Sequence, residues 1–341
     1  MFTRIVRHPN EYTVSLAAKT MKRGGLVAFP TETVYGLGAN GLDPAAARKV
    51  YEAKGRPSDN PLILHLYSPE QAENYAYTCP IFYKLALAFM PGPLTIILPK
   101  KEIVPDEVTG GLKTVALRVP SHPVSRALLR KCEFPIAAPS ANLSGKPSPT
   151  IADHVIGDMK GRIDMILDGG PCAVGVESTI VSVSGDDLTL LRPGAITPAM
   201  LAPFCEKFSL DPSLDRPLTG NERPLAPGMK YKHYAPKANV VLLDGGEEKV
   251  LRFMKDVKDL DNVGLLVGSS LAGALDGDRT LCYGRDLTDE AQMLFSCLRR
   301  FDKLPEVKTI YAPLPSKEGI GLAVYNRLAK AAGFTVINLN D

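Results

Sequence analysis

Gly25-Leu26-Val27-Ala28-Phe29-Pro30-Thr31-Glu32-Thr33-Val34-Tyr35-Gly36-Leu37-Gly38 is an apolar run that empties into hydroxyl and carboxyl groups. The uncharged Gly25 to Phe29 predicts a buried strand, and Pro30 with the following threonines predicts a loop leaving it. A second stretch has the same construction in reverse: Lys54-Gly55-Arg56-Pro57-Ser58-Asp59-Asn60-Pro61 runs into the strand Leu62-Ile63-Leu64-His65-Leu66. Between them Asp43-Pro44 supplies a cap and first turn for a helix over Ala45 to Lys54. Lys54 and Arg56 flank Gly55 on a turn, so both can converge on one anion, and the planar fork of arginine suits phosphate oxygens. Asn60 and His65 add polar groups beside an apolar strand, the composition of a lined pocket. The pair of segments reads as an anion-binding site.

Outward from this point, Tyr83 to Phe89 predicts a helix, Leu94 to Leu98 a strand and Val115 to Val119 another strand. Arg118 stands on that strand opposite apolar neighbours, where a charge must be paired or line a cavity. Val124 to Lys131 predicts a helix, Ile136 to Ala138 a short strand and Thr179 to Val183 a late one. Ser140 and Asn142 follow a strand through the turn at Pro139, and Lys146, Ser148 and Thr150 add donors on a rigid loop. Gly175-Val176-Glu177-Ser178 is a polar turn entering a strand, and Arg192 is one more cation at a strand end. Strands and helices mix without strict alternation, which predicts an α/β domain with a twisted mixed sheet ending near Met200.

From Cys205 to Lys237 prolines recur with little periodicity. Beyond it Val240 to Leu243, Val263 to Val267, Thr309 to Ala312 and Phe334 to Ile337 predict strands. They alternate with helices at Lys249 to Asp256, Asp289 to Leu304 and Leu322 to Ala332, the pattern of a parallel, Rossmann-like sheet. The expected division is 1–204, a linker at 205–238, and a smaller second domain at 239–341. No G-x-G-x-x-G follows any of these strands, so a dinucleotide fold-function link is rejected. Ser144-Gly145-Lys146-Pro147-Ser148 is not a P-loop either: the upstream glycine is missing and Pro147 removes an N–H.

Composition sets limits. With 341 residues the chain exceeds one ordinary core, and 45% hydrophobic with 23% charged residues is ordinary globular usage. Residues 1–200 hold 21 Lys and Arg against 18 Asp and Glu, the remainder 19 of each. That small excess suits a small polyanion better than a nucleic-acid stripe. Six cysteines without a C-x-x-C pair predict reduced thiols and a cytoplasmic location, and five histidines without ligand spacing predict no protein-built metal site. No stretch is apolar enough for a membrane span, and the N-terminus lacks the apolar core of a secretory signal.

Four motifs in this order resemble one family. Pro30 to Gly38 is similar to the opening motif of the YrdC-like threonylcarbamoyl-AMP synthases, and Lys54-Gly55-Arg56 resembles their Lys-x-Arg motif. Ser140-Ala141-Asn142 resembles their Ser-x-Asn motif, and Pro227-Gly228-Met229-Lys230-Tyr231-Lys232-His233-Tyr234-Ala235-Pro236 resembles the linker of the long, two-domain form. The resemblance implies a YrdC-like first domain. It implies Thr33, His65, Arg118, Ser140 and Ser178 near threonine, and Arg56, Asn60, Thr114, Asn142, Thr150, Arg192 and Tyr234 near ATP, with Lys54 and Arg56 catalytic.

It implies a nucleotidyl transfer from ATP to threonine and bicarbonate, giving threonylcarbamoyl-AMP and pyrophosphate, with Mg²⁺ carried mainly by the ATP phosphates. The product would pass to a separate transferase complex for tRNA threonylcarbamoyladenosine (t6A) modification, and the sequence leaves a weak direct tRNA contact open. The linker motif, with Lys230, Tyr231, His233 and Tyr234, is expected to act as a lid over the nucleotide. The alternatives are an RNA-binding module without catalysis, which the paucity of aromatics near the motifs disfavours, and a carbamoyl-transfer enzyme, which would need segments this chain lacks.

Overall fold

The strand that opens the sequence argument, Val27–Phe29, lies inside a large sheet and is wholly buried. The computed structural model describes residues 1–216, 224–227, 229 and 233–340. Among them the first sheet contains β1 (Arg4–Arg7), β2 (Val27–Phe29), β3 (Gly36–Asn40), β4 (Ile63–His65), β5 (Leu94–Pro99), β6 (Thr114–Arg118), β7 (Ile136–Ala138), β8 (Met165–Asp168), β9 (Thr179–Ser184), β10 (Asp187–Arg192) and β11 (Phe208–Leu210). Their order is β1-β8-β2-β3-β7-β4-β6-β5-β9-β10-β11. β8 runs parallel to both β1 and β2, β4 to β6, β5 to β9 and β10 to β11, and the remaining neighbours are antiparallel. The sheet is mixed, as the irregular alternation predicts.

It does not end near Met200. Phe208–Leu210 adds an edge strand beside β10, with Leu188 opposite Phe208, before Pro212 turns the chain away. β3 is a second departure, because Gly-Leu-Gly-Ala-Asn has little strand propensity of its own. Its glycines make room instead: a Cβ on Gly38 would stand 2.8 Å from both the Phe29 ring and Ile136. The helix Pro44–Lys54 is capped by Asp43, whose carboxylate accepts from the amides of Ala45 and Ala46, and it stops at Gly55 in a left-handed conformation, φ +60°. That stop swings Arg56 back towards β4.

The second sheet is wholly parallel, in the order β14-β13-β15-β12-β16, with β12 (Asn239–Asp244), β13 (Val263–Gly268), β14 (Thr280–Gly284), β15 (Thr309–Pro313) and β16 (Val336–Asn338). Two of its helices, Leu287–Phe301 and Gly321–Ala331, lie against the first domain. One apolar cluster spans the junction, joining Val34 and Val176 to Phe295, Leu298, Val324 and Leu328. Gly175, at φ +82°, permits the approach, since a Cβ there would sit 2.3 Å from the Gln292 Cα. The loops that carry the motifs are therefore pinned between the two sheets. Among the described residues no helix is long and apolar enough to cross a membrane.

Candidate active site

β4 and β6 run side by side with His65 opposite Arg118, so both side chains leave the sheet at one point. Arg118 is 4% exposed; its Nη2 donates to Glu32 Oε1 at 2.7 Å and to Thr33 Oγ1 at 2.9 Å. The other Glu32 oxygen accepts from the Ser121 amide at 3.0 Å. Burial alone would raise the Glu32 carboxyl, but the guanidinium beside it outweighs that and holds it below the usual range. Arg118 Nε is buried with no hydrogen-bond partner, an orphan donor at the cleft. His65 Nδ1 faces the Ile63 carbonyl at 3.0 Å, and burial, then the Arg118 charge, push its pKa down to about 3. The imidazole is neutral, with its proton on Nδ1 and its lone pair on Nε2.

A second group of cations gathers across the cleft. Lys54 is 2% exposed and its ammonium donates to the carbonyls of Ser140 and Asn142, the latter at 2.6 Å. Ser140 Oγ in turn donates to Asn142 Oδ1 at 2.5 Å, and the Asn142 amide nitrogen donates to the carbonyls of Leu143 and Lys146. Lys54 thus fixes the Ser-x-Asn turn. Burial and then the nearby Arg56 pull its pKa well below that of a free lysine. Arg56 Nη2 donates to the carbonyls of Asn60 and Pro61 at 3.2 and 3.1 Å, which folds the guanidinium over the start of β4.

The third wall joins the sheets. Arg192 donates through Nε to the Ser178 carbonyl at 3.0 Å, through Nη2 to Ser178 Oγ at 3.1 Å and through Nη1 to the Pro227 carbonyl at 3.3 Å. Burial lowers it to about 10. Beside it Glu177 accepts from Ser148 Oγ on one oxygen and from Arg327 Nε on the other. Tyr234 closes the cleft, stacked on Phe295 with ring centres 5.3 Å apart, at a φ of +66° that aromatic residues rarely hold. Ala226 and Met229 pack on Ile63, Ile97, Ala116 and Ile180, so the described part of the linker lies across the sheet face. The cleft is open to solvent, and the space within it, open solvent included, is about 660 Å³.

A family model described as "Telomere recombination", Sua5/YciO/YrdC, matches residues 19–194, and one described as "Threonylcarbamoyl-AMP synthase, C-terminal domain" matches 196–333. The chain belongs to this family. It is 44% identical to the threonylcarbamoyl-AMP synthase of Pyrococcus abyssi over 96% of each chain, and 45% identical to that of Bacillus subtilis over 96% of this chain and 95% of the other. The crystal structure of P. abyssi Sua5 complexed with L-threonine superposes with a TM-score of 0.91, at 43% identity and 99% coverage of both chains.

Of the residues that the family resemblance implies, Lys54, Arg56, His65, Arg118, Ser140, Asn142, Arg192 and Tyr234 line one cleft. Thr33 and Ser178 stand just behind it, bonded to Arg118 and Arg192 respectively. Asn60 is buried beneath Arg56, and neither atom of its amide has a hydrogen-bond partner. Thr114 opens β6, on the same strand face as Arg118 and four residues away, about 13 Å. Between the two lies the apolar floor at Ala116 that Ala226 and Met229 cover. Thr150 turns to the second domain, its hydroxyl 2.9 Å from that of Ser296.

The loop donors are engaged as well: Lys146 binds Asp158 at 2.9 Å and Ser148 binds Glu177. Lys230 and Tyr231 of the linker motif fall outside the described residues. Sequence reasoning missed Glu32, Glu177 and Arg327. The signal for Arg327 was available, since a lone charge within Gly-Leu-Ala-Val-Tyr-Asn-Arg-Leu-Ala faces the same demand for a partner that singled out Arg118.

Proposed function

We propose that the cleft condenses L-threonine, bicarbonate and ATP into L-threonylcarbamoyladenylate and pyrophosphate, as a nucleotidyltransferase serving tRNA t6A modification. The observation that carries this reading is the orphan Nε donor of buried Arg118, across one cleft from Lys54, Arg56 and Arg192. A carboxylate bound there would complete the guanidinium's hydrogen bonds, while a polyphosphate would relieve the crowding of like charges opposite.

In this scheme Arg118, steadied by Glu32 and Thr33, orients the threonine carboxylate. The amine nitrogen attacks carbon dioxide, or bicarbonate with loss of hydroxide, to form the carbamate N–C bond. Its proton leaves to solvent, or with that hydroxide as water, and the neutral His65 orients the amine by accepting a hydrogen bond at Nε2. A carbamate oxygen then attacks the α-phosphorus; a new P–O bond forms, the bond to the bridging oxygen breaks, and pyrophosphate leaves with its electron pair. No side chain becomes covalently attached. Arg56 and Arg192 meet charge building on phosphate oxygens, and Lys54 holds the Ser140–Asn142 turn in register with them. Glu177 in the cleft wall and Glu32 behind it already have arginine partners, so Mg²⁺ would ride on the phosphates, where it would neutralise their charge.

The linker, with Met229 on the floor and Tyr234 on Phe295, acts as a lid that keeps water from the adenylate. The product then passes to a separate transferase complex in the cytoplasm. Six free cysteines accord with that compartment. The test is threonine-dependent pyrophosphate release without RNA, with the adenylate identified by mass. Arg56→Ala is expected to lower kcat/KM about 100-fold. ATP consumption indifferent to threonine, or absence of the adenylate, sinks the reading.

A further inference from the structure

The second domain brings one charge to the cleft from behind. The helix Gly321–Ala331 is buried along most of its length, and Arg327 on it is fully buried. Arg327 Nε donates to Glu177 Oε2 at 2.8 Å, Nη1 donates to Asn326 Oδ1 at 3.1 Å, and the guanidinium carbon stands 5.5 Å from the centre of the Tyr234 ring. Glu177 and Arg192 both line the cleft, yet the three hydrogen bonds of Arg192 described above go to Ser178 and Pro227 and none of them to Glu177. Burial would raise the Glu177 carboxyl; the Arg327 charge, followed by that of Arg192, keeps it ionised. A carboxylate in the wall of a polyanion cleft is a liability unless it is held, since it repels phosphate and competes for the same guanidinium.

We propose that Arg327 is a positioning residue: it anchors the Glu177 carboxylate away from Arg192, so that Arg192 remains available to phosphate oxygens. The second domain thereby sets the nucleotide affinity of a site built in the first. This rests on the reading of the cleft as a nucleotide site. Ser148 is the other bond to Glu177, a neutral hydroxyl that cannot offset the carboxylate's charge. After Arg327 the strongest cationic influence on Glu177 is that of Arg192, ahead of Lys330 on the same helix as Arg327, and a Glu177–Arg192 pair would occupy the phosphate position.

Full-length Arg327→Met, Glu177→Gln and the double variant are titrated with Mg²⁺ and ATP by calorimetry, threonine and bicarbonate omitted, and separately with L-threonine. Arg327→Met is expected to weaken ATP binding by about tenfold or more. The double variant should return to within about threefold of the unaltered protein, because the stray charge is gone, and threonine affinity should not move in either. Unaltered ATP affinity in Arg327→Met overturns the proposal. So does a double variant as weak as the single one, since a packing defect is not cured by neutralising a carboxylate. If Arg327→Met lacks a cooperative thermal transition, the double variant decides alone: near-normal ATP affinity supports the assignment and a tenfold loss overturns it. A natural chain that binds ATP but forms no adenylate would sink the synthase reading and leave this pair standing.

Discussion

Two buried carboxylate–arginine pairs flank the cleft, and they work in opposite senses. Glu32–Arg118 spans 2.7 Å within the first domain, and Glu177–Arg327 spans 2.8 Å across the two. In the first pair the arginine lines the cleft and the carboxylate steadies it; in the second the carboxylate lines the cleft and the arginine steadies it. Chemically equal contacts thus present a cation at one place and a restrained anion at another. What decides the role is which partner faces the cleft.

The sharpest way to break the comparison is to neutralise each pair in turn. Arg118→Met removes the group proposed to grip threonine, and calorimetry should show threonine affinity down about 100-fold or more. Adding Glu32→Gln relieves the stranded carboxylate and should recover thermal stability, but not threonine binding. The Glu177→Gln and Arg327→Met combination is expected to recover binding as well. If the Glu32→Gln, Arg118→Met protein regains threonine affinity, Arg118 is only a structural counter-charge and the two pairs are alike.

Acid should separate the cleft's neutral groups from its paired ones. His65 and His233 are held near pKa 3 by burial, against 6.5 for a free imidazole. Their folded values lie below the unfolded value, so the unfolded chain binds more protons between about pH 6.5 and 3, and stability falls as pH falls through that window. The slope is at most about 1.4 kcal/mol per pH unit for each histidine. Both carboxylates are depressed instead, so their contribution is intact above 4.5 and is lost only below it. Urea unfolding at pH 7, 6 and 5 should therefore show a falling midpoint that His65→Asn makes shallower. A flat midpoint down to pH 5 would mean that His65 is charged in the folded protein.

The same contrast explains what the sequence disclosed. Arg118 could be singled out because it interrupts an apolar strand, and Lys54, Arg56, Ser140 and Asn142 because glycine and proline mark their turns. Most of the second sheet was readable as well, since parallel strands buried on both faces are continuous apolar runs such as Val263 to Val267, whereas the edge strand Thr280–Gly284 has no such run and was missed. Strands with weak runs were not: Gly36–Asn40 is a strand because Phe29 needs its glycines, and Arg4–Arg7 because β8 pairs with it. Nor could spacing show that Arg327 meets Glu177, 150 residues away, or that Lys146 and Thr150 turn to protein partners. Those contacts depend on how two separately folded sheets meet, which no local pattern encodes.

The weakest expected effect tests how far the junction's influence on the cleft is electrostatic. Thr150 and Ser296 join the same two domains as Glu177 and Arg327, but through neutral hydroxyls 2.9 Å apart. Ser296→Ala removes one hydrogen bond and strands no charge, so it should cost about 0.5–1.5 kcal/mol of stability, read as a small fall in the urea midpoint. ATP affinity should stay within about twofold, because no anion is released into the cleft. If Ser296→Ala weakened ATP binding as much as Arg327→Met, any loosening of the junction would suffice, and the charge of Arg327 would have no special part in it.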